Sequence, residues 1–87
     1  MKFAEERPYS DPEAAARKLV EIANSVEPTQ DGRIHTEKVN WPFLHDFRGS
    51  PDEYRAGMAR AIANGWLWIY ESATYVRFTQ VGADLFA

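Results

Sequence analysis

The residues of this sequence best suited to act on a partner are four arginines and three aromatics. Arg48, Arg55, Arg60 and Arg77 can hold phosphate oxygens, because a guanidinium stays charged and offers a planar fork of donors. Ser50 adds a hydroxyl beside them. Trp68, Tyr70 and Tyr75 join broad apolar rings to a polar edge, which suits a surface that is alternately wet and buried. Each set also has a plainer explanation. The arginines can form a solvated face. The aromatics can form a self-contained cluster under the N-terminal arm, with Arg77 over Trp68 as a cation–π pair.

Metal and catalytic chemistry lack the spacing they require. His35 and His45 fall in different elements with no thiol near them, and Ser10, Ser25, Ser50 and Ser72 have no nucleophile-elbow context. The carboxylates serve as helix caps or exposed pairs. The sequence therefore predicts a protein that is not an enzyme and holds no metal or cofactor.

At 87 residues the chain is long enough for one core. Residues 1–9 lack periodicity and are expected to be an arm anchored by Phe3 and Tyr9, and residues 10–87 to be the folded domain. There are no cysteines, so packing alone must supply stability. No apolar run reaches the ~20 residues of a membrane helix, and the first residues carry no apolar signal core. A soluble cytoplasmic protein is expected. The net charge of −3 opposes binding to nucleic acid by charge alone, but most of the excess acid lies before residue 33.

Helical signals come first along the chain. Ser10 with Glu13 makes a capping box, while Asp11 would put Pro12 at the favoured first position, and either starts a helix bearing the stripe Ala15, Leu19, Ile22, Ala23 and Val26. Pro28 ends it, Gln30–Arg33 turns, and Ile34–Thr36 can be a short strand. Pro42 argues for a two-turn helix capped by Asn40, running through Phe43, Leu44 and Phe47. Arg48-Gly49 is the next turn. Ser50-Pro51-Asp52-Glu53 then opens a third helix with a buried stripe of Tyr54, Met58, Ala61 and Ile62, and Gly57 allows close helix approach. Its outward face would show Asp52, Arg55, Ala56, Ala59, Arg60 and Ala63.

Gly65 fits the left-handed position after that helix, with Trp66 packing back. Trp66–Tyr70 and Thr74–Thr79 alternate as hairpin strands, pairing Leu67 with Phe78, Trp68 with Arg77, Ile69 with Val76 and Tyr70 with Tyr75. Leu67, Ile69, Val76 and Phe78 then face the core, and Trp68, Tyr70, Tyr75 and Arg77 face away. Thr79 caps a short last helix with Val81, Leu85 and Phe86.

This order, with Ala61-x-x-x-Gly65-Trp66-Leu67 at the helix-to-hairpin junction and Phe78-Thr79-x-x-Gly82 after the hairpin, resembles the winged helix-turn-helix superfamily of small bacterial regulators. The resemblance covers residues 10–87 and implies an α+β fold: a three-helix core, a two-stranded β wing and a short C-terminal helix. It further implies a transcriptional regulator that binds double-stranded DNA as a homodimer. The third helix would enter the major groove, with Arg55 at a base edge, Arg48, Ser50 and Arg60 on phosphates, and Arg77 as the wing's basic residue. The wing tip, Glu71–Thr74, carries no cation and departs from the family's basic wings. The alternative is a winged-helix protein-interaction module without DNA binding, using the aromatic face of Trp68, Tyr70 and Tyr75.

Overall fold

In a computed structural model that describes residues 7–87, the first helix, α1 (Pro12–Ser25), is capped by Asp11, whose side chain accepts from the Glu13 amide. Pro12 takes the first position, where no amide donor is needed. Ser10 donates to the Arg7 carbonyl instead. The remaining elements are β1 (Ile34–His35), α2 (Glu37–His45), α3 (Pro51–Ala63), β2 (Leu67–Ile69), β3 (Tyr75–Phe78) and α4 (Gln80–Asp84). Over the described residues the fold is α+β: four helices and an antiparallel sheet of order β1-β3-β2. Phe3 lies outside the described residues.

α1 packs most extensively against α3. Ala15, Ala16, Leu19, Val20, Ile22 and Ala23 of α1 are buried, opposite Gly57, Met58 and Ala61 of α3. A β-carbon on Gly57 would lie 2.7 Å from that of Ala15, so the glycine permits this approach. Ile34, Leu67 and Val76 close the core from the inner face of the sheet, with Ile69 and Phe78 half-buried at its margin. Phe43, Leu19, Leu67, Val39 and Val76 are the largest fully buried side chains. Each stabilises the fold by ~1.5–3 kcal/mol.

The second helix corrects the sequence expectation. It begins after Thr36 rather than Asn40, and Pro42 lies inside it. Interior proline costs ~3 kcal/mol, because it removes the bond to the carbonyl four residues back and crowds it. Val39 and Phe43, one turn apart, are both fully buried, and burying two such side chains offsets that cost. Phe47 falls beyond the helix and is 41% exposed, with the Lys18 ammonium 4.4 Å from its ring centroid.

α3 is fixed at both ends. Ser50 and Glu53 form the reciprocal capping box, with Pro51 at the first helical position. At the other end Gly65 has φ +77. Its amide bonds the Ile62 carbonyl, and that of Trp66 bonds the Ala61 carbonyl, both at 2.9 Å. These are the two bonds of a Schellman turn.

The hairpin pairs in the expected register: Leu67 with Phe78, Trp68 with Arg77, Ile69 with Val76. Thr79 ties its base back to the Gly65 turn. Its hydroxyl donates toward the Gly65 and Trp66 carbonyls and accepts from the Gly82 amide. A side chain on Gly82 would collide with the Trp66 carbonyl. Gly65 is thus required by its left-handed backbone and Gly82 by packing. β1 joins the outer side of β3, pairing Ile34 with Val76 and His35 with Tyr75.

Candidate functional site

Two surfaces hold the residues that the sequence singles out. The first is the outward face of α3 with the turn before it. Asp52, Arg55, Ala56, Ala59, Arg60 and Ala63 are all exposed, as is Arg48 in the turn. Arg48 adopts a left-handed backbone with φ 62, a conformation that carries strain for a residue with a β-carbon. Gly49, the second residue of that turn, leaves room for the Phe43 ring, which a β-carbon there would strike.

The arginines of this face have partners already. Arg55 pairs with Asp52 one turn away, and Arg60 lies 3.8 Å from Glu13 of α1. Arg48 and Arg77 have no ion-pair partner among the described residues.

Arg7 was not marked by the sequence pattern, yet it belongs to this face. Its guanidinium grips both carboxylate oxygens of Glu53, at 2.7 and 3.0 Å, and also donates to the Arg48 carbonyl at 2.9 Å. The grip of Arg7, aided by the Ser50 amide, holds the Glu53 carboxyl below its usual range. The acid at the head of α3 is thereby matched by a cation. Tyr9 stacks on Phe43 with centroids 5.1 Å apart, so residues 7–9 lie along α2 and α3 and not over the aromatic face.

The second surface is the outer face of the sheet. Trp68 is 52% exposed and meets Tyr70 edge-on at 4.6 Å, and Tyr70 meets Tyr75 edge-on at 6.1 Å. Tyr75 then stacks on His35 at 4.5 Å. The cation on this face is not the expected one. Arg33 sits 4.5 Å from the Tyr75 ring centroid, while Arg77 leans toward the Gly32 turn instead of covering Trp68. Arg33 also binds Asp31 at 2.9 Å. The Thr29 hydroxyl and Arg33 together hold the Asp31 carboxyl down to about 2.

His35 and Arg33 enter this surface only because β1 pairs with β3. Ile34 points into the core, so its two neighbours must point outward. Beyond β1 lies a cleft lined by His35, Glu37, Lys38, Trp41 and Pro42. Trp41 there is 60% exposed and stacked on His45 at 3.7 Å. His35 and His45 thus serve aromatic stacking. Among the described residues no cluster of three His, Cys, Asp or Glu side chains could hold a metal, and no helix is long and apolar enough to cross a membrane. No family model, curated protein or solved structure matches the chain.

Proposed function

We propose that the chain is a winged-helix domain that binds duplex DNA through α3 and acts as a small transcriptional regulator. Its element order supports that assignment, with α3 in the place of the groove-reading helix and β2–β3 in the place of the wing. The observation that carries the function is the outward face of α3. Six positions on three turns of a helix capped at both ends are open to solvent. Three of them, Ala56, Ala59 and Ala63, are small enough to let a groove close around the backbone and to touch thymine methyls.

The electrostatics of this face are compatible with phosphate. Exposed ion pairs such as Arg55–Asp52 and Arg60–Glu13 contribute only ~0–1 kcal/mol each, so a phosphate oxygen can replace either carboxylate. Arg7 offsets Glu53, and Arg48 is free among the described residues to take a phosphate beside Ser50. Arg77 is the wing's contribution. Phosphate contacts from Arg48, Arg60 and Arg77 give a slope of log affinity against log salt of about −2.7 for a protomer bound alone.

A salt series of binding to mixed-sequence duplex tests this. Arg55→Ala and Arg60→Ala should each weaken binding, and Arg60→Ala should also reduce the slope by about 0.9. A second function, a protein-interaction module without DNA binding, is favoured by the exposure of Trp68 and the net charge of −3. Equal duplex binding by wild type and the Arg55→Ala/Arg60→Ala protein would favour that function.

A further inference from the structure

The outer face of the sheet is an aromatic centre, with Arg33 over Tyr75 neutralised by Asp31, and it has beside it an exposed charge of each sign that is unpaired among the described residues. Trp68, Tyr70, Tyr75 and His35 stack in sequence. Along the hairpin, exposed Glu71 lies at the tip, the Tyr70–Tyr75 pair comes next, and the Trp68–Arg77 pair follows. Glu71 and Arg77 have no ion-pair partner among the described residues. A rim of one sign would suit a partner of the opposite charge. Opposite charges placed either side of a neutral centre complement the same surface turned through a half rotation.

We propose that this face binds a second copy of the chain, through a two-fold axis near Tyr70 and Tyr75. The half rotation sets Glu71 of each protomer against Arg77 of the other. The exposed Trp68 ring and the half-buried Tyr70 and Tyr75 rings then meet at the centre, where Trp and Tyr contribute most to association. This interface uses none of the outward residues of α3, so it stands whether or not α3 binds DNA, but it occupies Arg77, which cannot then hold phosphate in the dimer. Where DNA is bound, it presents two copies of α3 to one duplex.

Sedimentation of the full chain over a concentration series tests the proposal. Wild type should pass from monomer to dimer. Trp68→Ser should raise the dissociation constant roughly thirtyfold or more, as expected for a central aromatic. Arg77→Glu and Glu71→Arg should each raise it about tenfold or more by setting like charges together. The Arg77→Glu/Glu71→Arg protein should recover the wild-type association. Leu85→Ser, on the exposed apolar end beyond α4, should leave it unchanged.

All these residues are exposed, and far-UV circular dichroism confirms the fold of each variant. If Trp68→Ser unfolds, the charge series still tests the arrangement. Three results would overturn it: a monomer at every concentration, a dimer indifferent to Trp68→Ser, or charge variants that weaken singly and do not recover together. A monomer that captures a peptide or single-stranded nucleic acid on this face would also overturn it.

Discussion

Replacing Gly65 isolates one backbone term and measures how firmly α3 is joined to the hairpin. With φ +77 and nothing within 4 Å of where a β-carbon would sit, a new side chain meets open space. Its whole cost is conformational. An L-residue in the left-handed region costs ~1–2 kcal/mol, and the stiffer unfolded chain returns ~0.4–1 kcal/mol. Gly65→Ala should therefore lose about 1 kcal/mol, and Gly65→Val about 2 kcal/mol, because β-branching narrows the allowed region further. For a domain of this size each kcal/mol lowers the melting temperature by ~4–8 °C. Thermal unfolding followed by circular dichroism gives the values, with Gly65→Asn as the control that should lose least. An unchanged melting temperature for Gly65→Val would remove the left-handed assignment. Equal losses for Asn, Ala and Val would show that the cost is not conformational.

Other substitutions probe separate contacts. Gly57→Ala gains ~1 kcal/mol of helix propensity but drives a methyl against Ala15 and Leu19, so a net loss of about 1–3 kcal/mol is expected. Combining it with Ala15→Gly should recover part of that loss, and no recovery would place the strain elsewhere. Arg48→Gly relieves the left-handed backbone and should raise stability by about 0.5 kcal/mol after the extra freedom of the unfolded glycine is counted. The same change should weaken duplex binding, and a gain in stability with unaltered affinity would exclude Arg48 as a contact. Glu53 has a lowered folded-state pKa, so its contribution is complete above ~4.3, its unfolded value. It is lost as pH falls from there through the folded value. Denaturant titrations should show a shallower acid loss in Glu53→Gln, and identical profiles would mean the Arg7 clamp adds nothing.

The parts of the fold legible in the sequence are those fixed by local chemistry. The capping box at Ser50, the glycine turn at Gly65, the cap at Thr79 and the hairpin register each depend on residues within a few positions of one another. The start of α2 was hidden because its decisive term is tertiary. Pro42 argues locally for a break, and only the core supplies the burial of Val39 and Phe43 that overrides it. The aromatic face was half visible for the same reason: Trp68, Tyr70 and Tyr75 follow from hairpin parity, but His35 and Arg33 join them through a pairing distant in sequence. Arg7 reaches Glu53 across just over half the chain, and no periodicity marks such a contact. The partners Asp52 and Glu13, which occupy Arg55 and Arg60, were visible as helix-surface acids. Their pairing depends on how side chains turn and on how α1 lies beside α3.

DNA binding through α3 is tested most directly by a map of backbone amide and indole shifts in isotope-labelled protein as mixed-sequence duplex DNA is added. Binding through α3 predicts shifts at Arg48, Ser50, Arg55, Ala56, Ala59 and Ala63 that fade with added salt, while the buried inner strand residues Leu67 and Val76 stay still. No shifts at low salt, or shifts confined to Trp68, Tyr70 and Tyr75, would contradict it.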